Sequence, residues 1–242
     1  MTLPHSEEER QALAARLNSE LADKQPEEVL RYFMENFPGQ VALGSSLSYE
    51  DQTLTHIMVG TGLPVRIFTL DTGRLFPETY RLIERTNEKY KIKIEVYFPD
   101  HKEVEKMVGE HGVNLFYNSV ELRHECCRVR KLEPLHRALE GVAVWVCGLR
   151  RSQSVTRTDM QLVEYDKADG LLKVNPLIAW SEEQLLEYVK ANSVPFNPLH
   201  RQGYPSIGCQ PCTRAVEPGE DVRSGRWWWE NPNHRECGLH SR

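Results

Sequence analysis

Four of the six cysteines in this 242-residue chain form two pairs that could bind a metal. Cys126 and Cys127 are adjacent within a basic run, and Cys209 and Cys212 frame a Gln-Pro dipeptide in a loop rich in Gly and Pro. Successive side chains of a helix diverge by about 100°, so an adjacent pair fits a single tetrahedral zinc ion poorly. A [4Fe–4S] cluster instead takes each thiolate at a separate iron. The spacing therefore favours an iron–sulfur cluster over zinc.

The two remaining cysteines differ in their surroundings. Cys147 ends an apolar stretch, which predicts a buried thiol that packs as a small hydrophobic side chain. Cys237 lies in a polar stretch near the end of the sequence, between Arg235 and His240. Neighbouring cations favour the thiolate, which is the nucleophilic form. The position alone is equally consistent with a catalytic nucleophile and with a stray surface thiol.

Basic side chains are concentrated in three short clusters, although the formal net charge is −5. The acidic balance argues against a general nucleic-acid-binding protein. Such clusters usually mark a solvated face, but in an acidic chain they also suggest a small polyanionic substrate. Arginine suits phosphate and sulfate because its guanidinium donates two hydrogen bonds at once. The clusters are Arg123, Arg128, Arg130 and Lys131; Arg150, Arg151 and Arg157; and Arg223, Arg226 and Arg235.

The composition, 40% hydrophobic and 27% charged, predicts one large domain with a buried core. No apolar run reaches membrane-spanning length, and the acidic start of the sequence lacks the basic and apolar regions of a secretory signal. We therefore expect no membrane partner and a cytoplasmic location. Because cytoplasmic thiols stay reduced, the cysteines are expected to be ligands, catalysts or core residues rather than disulfides.

Hydrophobic periodicity predicts an α/β fold. Short apolar strands alternate with helices, which indicates βαβ units and a mostly parallel sheet with helices on both faces. An Asp-Gly turn at 169–170 predicts a hairpin after the last of these strands. The alternating strands are predicted at 41–43, 65–70, 92–98 and 142–147, the hairpin strands at 162–165 and 171–174, and flanking helices at 7–23, 26–36 and 181–191.

Three of the four alternating strands end in residue types that handle phosphate, and ligands of such sheets bind outside the carboxyl ends of the strands. The first end, 45–48, is either an anion nest or an ordinary polar turn. No Walker lysine follows it, which argues against a P-loop NTPase. The other two ends are Asp71-Thr72-Gly73-Arg74 and Gly148-Leu149-Arg150-Arg151-Ser152.

Taken together, these motifs resemble one family. The two cysteine pairs and the terminal Glu236-Cys237-Gly238-Leu239-His240 are similar to those of the assimilatory adenylyl-sulfate (APS) reductases, relatives of the 3′-phosphoadenylyl-sulfate (PAPS) reductases. The strand ends at 70–74 and 148–153 resemble the same family. The resemblance runs in consistent order from about Val41 to His240. The PAPS branch lacks the two cysteine pairs, so their presence favours APS.

The resemblance implies an adenine-nucleotide α-hydrolase-like fold and one [4Fe–4S] cluster on Cys126, Cys127, Cys209 and Cys212. It implies reduction of APS to sulfite and AMP in sulfate assimilation and cysteine biosynthesis, with thioredoxin or a glutaredoxin-like protein as electron donor. Cys237 would form an S-sulfo intermediate that this donor resolves.

Substrate contacts are also carried over from the family motifs. The sulfate and α-phosphate would be held by Lys131, Arg157, Arg223, Arg226 and His240. The adenosine side would be lined by Ser45, Ser46, Leu70, Thr72 and Gly148. One departure is Ser48-Tyr49, where the family pattern has Gly and a small residue in the phosphate loop.

We predict a single α/β domain over 1–242. It comprises N-terminal helices at 1–39, a nucleotide-binding core at 40–192, and a cluster loop with a mobile catalytic tail at 193–242. The alternatives are a PAPS or dual-specificity reductase, a non-enzymatic Cys₄ metal protein that binds nucleotides, and an ATP pyrophosphatase-type ligase. The last is disfavoured because the Ser-Gly-Gly-Lys-type loop is missing. Whether the chain forms a homo-oligomer is left open.

Overall fold

The computed structural model describes residues 1–153 and 159–231. The described chain forms two compact units. The first comprises Met1–Phe68, Leu82–Glu95 and Leu139–Phe196, and the second comprises Thr69–Arg81, Val96–Ala138 and the chain from Asn197 onward. The predicted division into one domain of three segments stays a prediction.

Helices and strands alternate through the middle of the chain, as the periodicity predicts. The helices are α1 (Glu7–Leu21), α2 (Pro26–Asn36), α3 (Tyr49–Gly60), α4 (Pro77–Tyr90), α5 (His101–His111), α6 (Val120–Cys127), α7 (Glu133–Leu139) and α8 (Glu182–Ala191). The strands are β1 (Val41–Gly44), β2 (Ile67–Leu70), β3 (Glu95–Tyr97), β4 (Val144–Val146), β5 (Val163–Asp166) and β6 (Leu171–Val174).

The strands form one six-stranded sheet in the order β3-β2-β1-β4-β6-β5. β1 runs parallel to β2 and β4, and β4 runs parallel to β6. The predicted hairpin is confirmed: β5 and β6 are antiparallel, and Gly170 supplies the left-handed turn conformation with φ +67°. The mostly parallel α/β sheet is therefore as predicted. β2, β3 and β4 are shorter than their apolar runs suggest.

Side-chain caps explain where several helices begin. Ser6 and Ser181 form capping boxes at α1 and α8, and Ser48, Asp100 and Ser119 accept hydrogen bonds from first-turn amides of α3, α5 and α6. Each cap satisfies a backbone N–H that the helix leaves without a partner. Among the helices of the described residues, none is long and apolar enough to cross a membrane.

Each unit has its own apolar cluster. In the first unit, Phe33 and Phe37 of the N-terminal helices pack with Leu43 of β1 and Val146 of β4, all fully buried. The buried side chains of α2 thus face this core. In the second unit, a smaller cluster forms around Trp227, and all four paired cysteines belong to it.

Candidate functional site

A cavity in the second unit is lined by all four paired cysteines. Its empty volume is about 400 Å³, part of it open to solvent. The structure thus brings together two cysteine pairs that lie more than eighty positions apart in the sequence. The other lining residues are five cations (Arg74, Arg123, Arg130, Lys131 and Arg226), three apolar side chains (Phe116, Pro211 and Trp227) and Thr72.

A change of helix geometry follows the adjacent cysteines. Cys126 and Cys127 end α6, and the turn Arg128–Leu132 is π-helical before α7 resumes the α-helix. Such turns are rare and are found frequently at functional sites, because they shift the side chains that follow them. Here Arg130 is buried and Lys131 is half-buried, and both line the cavity.

The second pair sits on a tight 3₁₀ turn, Gln210–Cys212. Residues three apart eclipse each other in this geometry, so Cys209 and Cys212 lie on the same side of the turn. The N–H of Cys212 and the hydroxyl of Thr213 both donate to the Cys209 carbonyl, each at 2.9 Å. Two donors on one carbonyl hold the loop closed.

The turn after β2 is bonded to both cysteine segments. Thr72, fully buried, lies with its hydroxyl 3.2 Å from the Cys209 sulfur, and its carbonyl accepts from the Arg130 guanidinium at 2.7 Å. The N–H of Gln210 donates to the Arg74 carbonyl at 2.8 Å. The strand-end motif is therefore part of the cavity wall.

Trp227 lies between two guanidinium groups. Arg123 and Arg226 lie 4.7 and 4.6 Å from the centre of its ring, a cation–π arrangement. Gly208 lets the Arg226 guanidinium approach closely, because a Cβ there would lie 2.2 Å from an Arg226 nitrogen and would displace that side chain. Arg123 also forms a buried two-point ion pair with Glu230, at 3.0 and 2.8 Å.

Replacing Arg123 by Met is expected to destabilise the protein by about 3–5 kcal/mol, because Glu230 would keep a buried charge without its partner. The matched control is Arg128→Met, whose ion pairs with Glu125 and Glu133 are solvent-exposed and worth at most about 1 kcal/mol. Urea unfolding followed by tryptophan fluorescence compares the two. Equal losses of unfolding free energy would contradict the assignment of Arg123 as a buried structural cation.

Burial and the proximity of other thiols raise the pKa of two of these cysteines, Cys126 and Cys212. Burial, followed by the charges of Cys209 and Cys127, raises the pKa of Cys212 to about 12, although Arg226 opposes this. Burial also raises the pKa of Cys126, which Arg130 partly offsets. Four crowded thiols of this kind become thiolates when a cationic metal centre compensates their charge.

The donor set fits an iron–sulfur cluster. Thiolate sulfur is the soft ligand that iron–sulfur clusters and zinc prefer, and the cations around the cavity complement an anionic thiolate-bound cluster. Within residues 1–153 and 159–231, no group of three or more His, Cys, Asp or Glu side chains is arranged to hold a metal ion. All four cysteines line one cavity and are the residues that would hold such a cluster.

In the first unit, the turn after β1 directs its amides inward. The N–H of Ser45 donates to the Phe68 carbonyl, the N–H of Leu47 donates to the Ser45 hydroxyl, and both the N–H and hydroxyl of Ser46 donate to Asp51. These amides are not presented to an external anion. The anion nest stays a prediction for residues 45–48, in which the amides of Ser45, Ser46 and Leu47 have acceptors within the chain.

The unusual Ser48-Tyr49 pair fits this loop without strain. Ser48 has φ −67° and caps α3, while Leu47 takes the left-handed conformation at φ +63°. The Tyr49 ring packs 5.2 Å from that of Phe196. No glycine is needed at either position of the pair.

Asp51 joins this turn to the loop after β4. Its Oδ2 accepts from the N–H and hydroxyl of Ser46 at 2.6 and 2.7 Å. A Cβ at Gly148 would lie 2.3 Å from Asp51 Oδ1, so the approach of the two loops requires glycine. Beside it, Glu50 and Arg150 form a buried ion pair at 2.8 Å, which fixes the same two segments. The sequence does not reveal either contact.

Burial raises the pKa of Asp51 to about 6, against hydrogen bonds from Ser46 that lower it. Ionisation of the buried Asp51 carboxylate therefore lowers the free energy of unfolding, and this loss grows as the pH rises from about 4 to 6. Relative to the native protein, Asp51→Asn is expected to gain stability over this range by up to about 3 kcal/mol. Urea unfolding of both proteins between pH 4 and pH 7 measures the difference. A difference that does not change with pH would contradict this assignment.

The basic clusters are only partly available for a substrate. Arg150 is bound to Glu50, Arg151 donates to the Met160 carbonyl, and Arg128 is bound to glutamates on the surface, so these three guanidinium groups already have partners within the chain. Arg130 lines the cavity, although sequence reasoning gave it no site role. The sequence feature that points to a site role for Arg130 is its position in the basic run beside Cys126 and Cys127.

The remaining predicted site residues lie in different places. Leu70 ends β2, half-buried, and Arg223 lies in the turn before Arg226; neither is among the residues that line the cavity. Cys147 is buried as predicted, and burial raises its pKa strongly. Three predicted residues lie outside the described residues: Arg157, Cys237 and His240.

Comparison with known proteins decides the family. The chain matches the phosphoadenosine phosphosulfate reductase domain over residues 40–215. It belongs to this family. Two relatives named adenosine 5′-phosphosulfate reductase, from Burkholderia cepacia and Allochromatium vinosum, are each 54% identical to it. The alignments span 83% and 84% of this chain and 80% and 79% of the relatives.

Solved structures agree on the fold. The phosphoadenylyl-sulfate reductase from Candida auris, solved as a phosphate complex, superposes with a TM-score of 0.74 at 28% identity, covering 89% of this chain and 100% of that one. FMN adenylyltransferase from Candida glabrata superposes with a TM-score of 0.52 at 14% identity, covering 90% of this chain and 80% of that one. The second match shows a shared fold alone.

Proposed function

We propose that this chain is an oxidoreductase that reduces APS to sulfite and AMP in sulfate assimilation, which supplies cysteine biosynthesis. The observation that carries the proposal is the cavity of four cysteines bordered by Lys131 and Arg226. The names of relatives about half identical to the chain support APS as the substrate. A soluble cytoplasmic enzyme is the form we expect.

Cys126, Cys127, Cys209 and Cys212 would hold one [4Fe–4S] cluster. When bound, the cluster supplies a fixed charged group that orders the surrounding cations. Electrons reach the substrate through thiols in this proposal, so the cluster is not required to change its oxidation state. Lys131 lines the cavity from the π-helical turn, and we assign to it the link between the cluster and the sulfate group.

The substrate would be held mainly by charge. Lys131 and Arg226 would bind the sulfate and α-phosphate, together with Arg223, Arg157 and His240. The adenosine side would be lined by Ser45, Ser46, Leu70, Thr72 and Gly148. The N–H and hydroxyl of Ser46 donate to Asp51. Ser46 would therefore contact the nucleotide by packing rather than by hydrogen bonding.

The chemistry is assigned to Cys237. Its thiolate attacks the sulfur of APS, a new S–S bond forms, and the S–O bond to AMP breaks with its electron pair leaving on AMP. AMP is a good leaving group, so positioning and charge neutralisation supply most of the catalysis. The product is an S-sulfocysteine at Cys237.

Thioredoxin, or a glutaredoxin-like protein, completes the cycle. Its thiolate attacks the Cys237 sulfur and expels sulfite, and its second thiol resolves the mixed disulfide. The donor leaves oxidised, and Cys237 returns to the thiol state. The two electrons needed to form sulfite thus come from one dithiol.

Comparing APS and PAPS as substrates tests the proposal, with sulfite release measured in the presence of thioredoxin. We expect a much higher kcat/KM for APS, together with four irons and four sulfides per chain, to a first approximation. A higher kcat/KM for PAPS would favour the second candidate, a PAPS or dual reductase, which the Candida auris structure supports. Zinc in a colourless preparation with no sulfite release would instead indicate a non-enzymatic metal protein.

A further inference from the structure

Three aromatic side chains of the second unit form a partly exposed patch, here called the aromatic surface: Tyr117, Trp228 and Trp229. Tyr117 is 42% exposed and Trp228 is 37% exposed. The ring centres of Trp228 and Trp229 are 4.8 Å apart, and that of Tyr117 lies 4.4 Å from Trp229. The surface is thus a continuous set of packed rings rather than scattered apolar residues.

The aromatic surface is anchored to the cysteine cavity. The Tyr117 hydroxyl donates to the Pro211 carbonyl, between the two cysteines of the 3₁₀ turn, at 2.7 Å. Trp229 packs on Phe116, whose ring lines the cavity. Trp227, the neighbour of Trp228 in sequence, is fully buried between two arginines. The surface is therefore held in place by the same residues that build the cavity wall.

The aromatic surface is also close to Cys237 along the chain. The described residues end at Asn231, three positions after Trp228, and Cys237 follows six positions later. Six residues span at most about 20 Å when fully extended. A protein that brings its own thiol to Cys237 therefore places that thiol near a point within about 20 Å of Asn231.

We propose that the aromatic surface is the docking site for the dithiol protein that reduces the S-sulfo form of Cys237. The inference rests on the proposed function and specifies where its protein partner binds. Tyr and Trp are enriched among the residues that dominate the binding energy of protein–protein interfaces. Complexes between redox proteins use small interfaces, so a patch of three rings is large enough to matter. The partner that fits is a protein of the thioredoxin class, with an apolar rim around its reactive cysteine.

Trp228→Ala is the variant that tests this proposal. It is expected to raise the KM for thioredoxin about tenfold, as the loss of one dominant aromatic contact does. The rate with dithiothreitol as reductant, and S-sulfo formation from APS without any reductant, should equal those of the native protein. Trp228→Phe should largely restore the KM. Phe98→Ala is the matched control, since Phe98 is 54% exposed in the same unit.

An unchanged thioredoxin KM in Trp228→Ala would overturn the proposal, as would an equal rise in Phe98→Ala. A change in oligomeric state on gel filtration would overturn it in favour of a second copy of the chain. If Trp228→Ala does not fold, Tyr117→Leu removes another ring of the surface and is measured in the same way. Failure of the native protein to release sulfite from APS with either reductant would refute the proposed function instead.

Discussion

Cys237→Ser is expected to lose more than about 10³-fold in sulfite release, because removal of a nucleophile usually eliminates most of the catalysis. A serine hydroxyl stays protonated at neutral pH, so no comparable nucleophile replaces the thiolate. Binding of APS should be retained, since the proposed substrate contacts are made by other residues. Iron–sulfur absorbance should also be retained, because Cys237 is not among the four proposed ligands.

The matched control is Cys147→Ala. Cys147 is buried at the end of β4, and burial raises its pKa far from the range of a reactive thiolate. We expect sulfite release close to that of the native protein. The assignment of the nucleophile would be wrong if Cys237→Ser kept its activity, or if Cys147→Ala lost as much.

Cys212→Ser is expected to lose its iron and its activity together. Cys212 is 8% exposed and packs with the other three cysteines and Trp227 in the apolar cluster of the second unit. Changes around metal ligands already cost about 10–100-fold in affinity or activity, so removal of a ligand should reduce iron affinity by more than about 100-fold. Iron and acid-labile sulfide per chain are the quantities to measure, with sulfite release alongside.

Cys237→Ser serves as the control for this variant, since it should keep full iron while losing turnover. Two cysteine substitutions with opposite effects on iron content would separate the nucleophile from the ligands. Cys212→Ser with full iron and sulfide would contradict the proposed ligand set. So would a Cys212→Ser protein without iron that still releases sulfite at the native rate, because the cluster would then have no role in ordering the site.

Local patterns were sufficient to predict most of the fold. Alternating apolar runs and turn residues identify βαβ units, and an Asp-Gly turn marks the β5–β6 hairpin, because both signals act over a few residues. The convergence of two distant cysteine pairs was also predictable, since their chemistry favours a shared metal centre.

Contacts between distant charged residues were not predictable. Arg150 pairs with Glu50 and Arg123 with Glu230, across 100 and 107 positions. A sequence shows the charges but not their partners, so basic clusters were interpreted as substrate contacts. For the same reason, the sequence did not show that Asp51 accepts from the N–H and hydroxyl of Ser46. The π-helical turn after Cys127 had no sequence signal, because it is a shift of backbone hydrogen bonds.

The central claim is that APS sulfur passes to the enzyme before any reductant acts. The most direct test is to mix the native protein with ³⁵S-labelled APS without reductant, then measure released AMP and map the label by peptide mass spectrometry. The account predicts one AMP per active chain and label on the peptide that contains Cys237, released as sulfite when thioredoxin is added. AMP release that requires thioredoxin, or label on another peptide, would contradict it.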